Sequence, residues 1–318
     1  VWPTDRLPLP ADELARLADR LRPVFRRRCA ELGLETDLTP RLRPIYVPLA
    51  AWIARHRRLG GRVFGVNGAQ GTGKSTLVRL LQTLLAAGFG LRAAGLSIDD
   101  LYYRTRAERE HLARTVHPLL ITRGVPGTHD VALGIRTLEA LAKAGPGDRI
   151  PLPAFDKAID DRLPPSRWPV WEGRCDLVLF EGWCVGARPE PDERLRQPVN
   201  ELERREDPDG RWRRYVNDQL RGPYRQLFAR LDRLIMLEAP GMACVFRWRL
   251  QQERQLARRL EGEPKPGLRV MDEAALRRFI QHYERLTRWM LAEMPARADV
   301  VLALGEDHQI HAVTVNRP

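Results

Sequence analysis

Residues 62–76 read RVFGVNGAQGTGKST, and this stretch limits the possible folds more than any other. The run at 62–66 is a short apolar strand pattern, and a helical pattern covers 74–87. Between them Gly68, Gly73, Lys74 and Ser75 satisfy G-x-x-x-x-G-K-[ST], a motif that has meaning only between a strand and a helix. Glycines let the backbone wrap an anion with its N–H groups pointing inward. The helix opening at Lys74 adds the positive end of its dipole. Gly68, Ala69, Gln70, Gly71, Thr72, Gly73, Lys74, Ser75 and Thr76 therefore form a candidate cradle for a nucleotide polyphosphate. In it Lys74 would reach the β- and γ-phosphates and Ser75 would ligate Mg²⁺. A chance glycine-rich turn would not bring both flanking elements.

Further strand patterns fall at 92–98, 176–180, 232–237 and 299–303, and helical patterns at 130–143, 215–230, 241–260 and 272–294. Strands joined through helices imply a mainly parallel sheet covered on both faces. The expected fold is α/β, a three-layer P-loop NTPase fold with a mainly parallel five-stranded sheet. Residues 1–60 carry helical periodicity without strands, which predicts a helical segment packed on a domain of residues 61–318. Pro23 is expected to divide the first helical run in two. Ile45, Leu49, Trp52 and Ile53 should share one buried helix face. Three Pro/Gly/Arg-rich stretches, 118–129, 145–173 and 187–213, are long enough to read as functional loops.

Composition excludes little but steers the reading. The net charge is +12 over 318 residues, mostly from arginine. The lack of a basic motif interleaved with aromatics argues against nucleic acid as a partner, whereas phosphorylated ligands need several fixed cations. No apolar run nears the roughly 18 residues of a membrane span. The N-terminal residues lack the order of a signal peptide, and Cys29, Cys175, Cys184 and Cys244 show no metal or disulfide spacing. Together these point to a cytoplasmic chain with free thiols. No guanine-reading N-K-x-D or T-K-x-D tetrapeptide and no LSGGQ-type signature is present, which moves the reading from GTPases and transport ATPases towards kinases.

Ligands of open α/β sheets lie beyond the carboxyl ends of the strands, and two of these strands end in acids. One gives SIDDLYY, with Asp99 and Asp100 just past its end; the other gives LVLFEGW, with Glu181. Acids there can hold Mg²⁺ or accept the proton of an attacking hydroxyl. Asp100 reads as a helix cap and Asp99 as the chemical group; an ordinary turn acid is the plain alternative for Glu181.

The P-loop, the strand-end Asp99 followed by Tyr102 and Tyr103, and the strand ending in FEG resemble the uridine kinase, phosphoribulokinase and pantothenate kinase group. Within it, GAQGTGKST, SIDDLYY, RGVPGTHD, LPAFDKAIDDR, LFEGW and YVNDQLRGPY resemble the plant-type D-glycerate 3-kinases and their microbial relatives, from about Tyr46 onward. The resemblance implies phosphoryl transfer from ATP, with Mg²⁺, to a small acidic acceptor, D-glycerate. It makes Lys74, Asp99 and Glu181 catalytic, with Asp99 the base and with Ser75, Asp99 and Glu181 around the metal. It also places Tyr102, Arg123, His129, Lys157 and Arg162 near the acceptor. The cations among them suit a carboxylate, which an arginine grips through two parallel hydrogen bonds; loop cations in water are the plain alternative. On the helical run 241–260, Arg247 is the candidate to meet the phosphates from a lid, although its neighbours Arg249, Arg254, Arg258 and Arg259 read as a solvated face. His308 and His311 lie in a segment that alternates like a strand, with no third metal ligand nearby in sequence.

Overall fold

The computed structural model describes residues 1–99, 104–156, 159–262 and 271–316. Its strands are β1 (Val63–Gly68), β2 (Ala93–Ser97), β3 (Arg149–Pro151), β4 (Phe155–Asp156), β5 (Asp161–Arg162), β6 (Val170–Glu172), β7 (Leu177–Gly182), β8 (Arg233–Glu238), β9 (Val300–Leu304) and β10 (Ile310–Val315). Six of them form one sheet in the order β10-β9-β8-β1-β7-β2. All neighbours are parallel except β10, which runs antiparallel to β9. Both β1 and β7 are buried at every position, as strands covered on two faces must be.

Alternate residues of the strands feed two separate cores. On one face Phe64, Val66, Leu177, Leu179, Ile235 and Leu237 meet the P-loop helix (Lys74–Phe89) and the N-terminal helices. On the other Val63, Val178, Phe180, Leu234 and Met236 meet the helices Val131–Lys143 and Glu273–Glu293. The result is helix, sheet and helix in three layers. Residues of 1–60 belong to the first core: Ile45, Leu49, Trp52 and Ile53 are all buried there. Truncating such a side chain as Trp52 to alanine costs about 3–5 kcal/mol.

Three expectations are corrected. The sheet has six strands, not five. The sixth is an edge strand reached by a hairpin rather than a helix, with a register shift between Ile310 and Ala312; the five-strand expectation leaves out the segment around His311 that alternates like a strand. Pro23 lies inside a single helix, Ala11–Glu31, and does not divide it. Both Pro23 and Asp19, whose carbonyl loses its helical partner, face solvent, so water replaces the missing bond. Conversely, the run at 215–230 is two helices, Arg211–Arg221 and Pro223–Phe228. They break at Gly222, because the residue before a proline is pushed out of the helical region.

The long stretches are structured. Residues 145–173 hold two small antiparallel ribbons, β3–β6 and β4–β5, and a short helix, Glu201–Glu206, occupies the third stretch. No helix among the described residues is long and apolar enough to cross a membrane.

Candidate active site

The parallel strands deliver their carboxyl ends to one edge of the sheet. There Gln70, Gly71, Gly73, Lys74, Ser75, Thr76, Asp99, Arg123, Trp183, Arg249, Gln252, Phe279 and Tyr283 line a cavity of about 390 Å³. Gly71 and Gly73 have φ of 81° and 86°, the left-handed region where a side chain is strained, so the cradle needs glycine at both. Gly68, Ala69 and Thr72 lie behind this lining; the Thr72 hydroxyl donates to the Ala69 carbonyl at 2.8 Å and fixes the turn. Lys74 Nζ reaches the same carbonyl at 3.0 Å, across the mouth of the loop.

Glu181, near the end of β7, pairs in register with Val66 of β1 and Ser97 of β2. Its Oε1 accepts a 2.7 Å hydrogen bond from Ser75 Oγ, so this acid is joined to the cradle hydroxyl. Asp99 lines the cavity just beyond β2, and its buried Oδ1 has no hydrogen-bond partner among the described residues. An orphaned buried carboxylate oxygen is costly unless a ligand completes it. Asp100, read from sequence as a cap, lies outside the described residues, as do Tyr102 and Lys157.

The segment RGVPGTHD reaches the cavity wall through Arg123 and is held behind it by tertiary contacts. Tyr283 donates to the Arg123 carbonyl at 2.7 Å, Trp183 Nε1 to the Gly124 carbonyl at 2.8 Å, and Gly127 N to Tyr224 Oη at 3.0 Å. Gly124 has φ of 112°, and a Cβ there would lie 2.6 Å from Tyr283 Oη, so backbone and ring approach only because it is glycine. Asn67, at the end of β1, donates to the Trp183 and Val185 carbonyls, which ties this wall to the cradle strand.

The sequence candidates separate here. Arg123 reaches the cavity. Arg162 does not line it and pairs with Asp130 at 3.2 Å, the acid that caps the helix Val131–Lys143. His129 is fully buried, with Nδ1 2.6 Å from Tyr224 Oη. Burial lowers its pKa to about 4, the nearby Asp99 charge opposing, so at neutral pH it is uncharged and is no cation for a carboxylate.

On the helix Met242–Gly262, Arg249 faces the cavity, while Arg247 turns outward to Glu306 at 2.8 Å. The helix spacing puts these two residues on different faces, which the cluster of arginines in the sequence hides. Sequence reasoning also missed Trp183, Gln252, Phe279 and Tyr283. Trp183 had a signal, following Glu181-Gly182 at the end of an apolar strand; Phe279 and Tyr283 look like ordinary core aromatics. His308, in the β9–β10 turn, stacks on Trp248 with centroids 4.1 Å apart, and its Nε2 bonds the Gly71 carbonyl. A carbonyl only accepts, so Nε2 carries the proton, and burial lowers the ring's pKa in favour of that neutral form. His311 pairs instead with Asp307.

No protein-family model matches the chain. It is 29% identical over 307 residues to the chloroplastic D-glycerate 3-kinase of Arabidopsis thaliana, covering 90% of this chain but 64% of the plant protein's length. It is 33% identical over 234 residues to mug58 of Schizosaccharomyces pombe, described as an uncharacterized kinase, covering 70% of this chain and 78% of that one. The chain belongs to this P-loop kinase family. The solved D-glycerate 3-kinase of Cryptococcus neoformans var. grubii has the same fold, with a TM-score of 0.68, 24% identity, and cover of 85% of this chain and 99% of its own.

Proposed function

We propose that this chain transfers the γ-phosphoryl group of ATP, with Mg²⁺, to a hydroxyl of a small organic acid, D-glycerate. The observation that carries the reading is the meeting of three unlike groups around one cavity: the Lys74–Ser75 cradle, the Asp99 carboxylate, whose Oδ1 has no hydrogen-bond partner among the described residues, and the Arg123 cation. The kinship with D-glycerate 3-kinases supports the choice of acceptor.

Lys74 and the loop N–H groups bind and orient the β- and γ-phosphates. Mg²⁺ suits hard oxygen donors, and the Ser75 hydroxyl, Glu181 and Asp99 supply them. When bound, it neutralises charge on the phosphate oxygens. Asp99 accepts the proton of the attacking hydroxyl at its free carboxylate oxygen. Arg123 holds the acceptor's carboxylate, so that its hydroxyl lies in line with the phosphorus. Arg249, rather than Arg247, is the lid cation of this reading. Residues 1–60 serve as a helical segment packed on a kinase domain of 61–318, and a cytoplasmic location fits the four free thiols.

The test is ADP release by the purified protein with Mg-ATP and, in separate reactions, D-glycerate, pantothenate and a nucleoside. D-glycerate is expected to give the fastest turnover. A faster reaction with either of the others overturns the acceptor. Absence of any acceptor-dependent ADP release overturns the kinase reading itself.

A further inference from the structure

Arg123 does not stand alone behind the cavity. Asp160, in the turn between β4 and β5, accepts from Arg123 Nη1 through Oδ1 and from Arg109 Nη2 through Oδ2, the latter at 2.6 Å. The Asp160 main-chain carbonyl accepts from Arg109 as well, at 2.9 Å. Both guanidiniums also lie over the ring of Phe155, with centroid distances of 5.6 Å for Arg109 and 5.4 Å for Arg123. Two cations and one carboxylate thus share one aromatic platform.

The members of this cluster are not equivalent. Arg109 is wholly buried on the helix Arg106–Thr115, and it also donates to the Arg104 carbonyl at 2.8 Å. A buried cation must be paired, so Arg109 is a fixed post and Asp160 its counter-ion. Asp160 has φ of 55°, one of two non-glycine residues in the left-handed region among the described residues. Aspartate tolerates that region better than most residues. There its carbonyl and side chain both reach Arg109. Arg123, by contrast, is partly exposed and lines the cavity.

We propose that Asp160 is the positioning residue that sets acceptor specificity: held by Arg109, it fixes the direction in which Arg123 presents its guanidinium to the acceptor's carboxylate. This rests on the reading of Arg123 as the carboxylate anchor. Arginine has five donors in a rigid fork, and pinning Nη1 to Asp160 leaves the planar group no freedom to swing. A guanidinium presented in one fixed direction suits a single carboxylate, so the preferred ligand class is a small monocarboxylate with a hydroxyl one or two carbons away.

The test uses the full chain with Asp160→Asn and Asp160→Gly, both compatible with a left-handed backbone, so that a loss reports the carboxylate and not the turn. In each, KM for D-glycerate should rise about tenfold and kcat should fall less, while KM for ATP and the slow reaction with glycerol change little. In an Arg123→Ala background, Asp160→Asn should add no further loss for glycerate, since the two act through one contact. An unchanged glycerate KM in Asp160→Asn overturns the proposal, as does full additivity with Arg123→Ala or an equal loss for ATP. If the unsubstituted protein turns over glycerol as well as it does glycerate, the anchor reading fails first and takes the proposal with it.

Discussion

The phosphate cradle is one continuous run, Gly68–Thr76, between a central strand and its helix. The rest of the cavity wall, which the proposed function gives to the acceptor, takes Asp99 from beyond β2, Arg123 from a loop, Trp183 from beyond β7, and Phe279 and Tyr283 from the last long helix. The cradle's shape comes from local backbone geometry, two left-handed glycines and a threonine hydroxyl. The wall's shape comes from tertiary contacts, such as Tyr283 Oη on the Arg123 carbonyl. A cradle of that kind, on the proposed reading, treats every acceptor alike. A wall assembled from distant pieces can change its ligand when one piece moves, and specificity belongs there.

The sharpest way to break this contrast is Lys74→Ala, which removes a cation from the phosphates. Turnover should fall about a thousandfold with any acceptor, and the melting temperature should barely move. A folded variant that keeps its activity, or that loses it with one acceptor only, contradicts the division. Asp99→Asn comes next. It keeps the shape and removes the base, so kcat should drop about a hundredfold while ATP affinity, measured by calorimetry, stays close to that of the unsubstituted protein.

The wall also carries a titration that the cradle does not. In the unfolded chain His129 binds a proton below about pH 6.5, but in the fold it does so only near 4. Between those values the unfolded state holds the extra proton, so stability rises with pH through this window and is lost on acidification. The loss by pH 4 is about 3 kcal/mol. Urea unfolding from pH 7 to 4 should show this slope, and His129→Gln should flatten it. The smallest effect is expected from His308→Ala, which removes one hydrogen bond to the Gly71 carbonyl. KM for ATP should rise about two- to tenfold, with the acceptor KM unchanged in a steady-state assay.

Legibility in the sequence followed the same division. The strand, loop and helix around Lys74 are adjacent in sequence, so their motif could be read directly, and apolar runs placed five of the six strands of the sheet. The edge strand β10 alternates like a strand in sequence, but without a helix before it nothing local showed that it joins the same sheet, antiparallel to β9. On the acceptor side the residues in quotable segments were nameable but their directions were not. Arg123 and Arg162 are alike as loop cations, yet one lines the cavity and the other pairs with Asp130. Arg247 and Arg249 sit on one helix, and only its rotation decides which meets the cavity. His129 reads as a cation until burial removes its charge. Direction and burial are properties of packing, and no short motif encodes them.

The most direct test of a cradle indifferent to the acceptor and a wall that selects it is the ratio of kcat/KM for D-glycerate to that for glycerol, before and after Arg123→Ala. Glycerol has the hydroxyls but no carboxylate. The unsubstituted protein should favour glycerate strongly. Arg123→Ala should lower the glycerate value by about 10–100-fold, the worth of a charged hydrogen bond, and leave the glycerol value nearly as it was, so that the ratio collapses. A ratio near one in the unsubstituted protein, or an equal fall for both acceptors in the variant, would contradict the assignment of the wall.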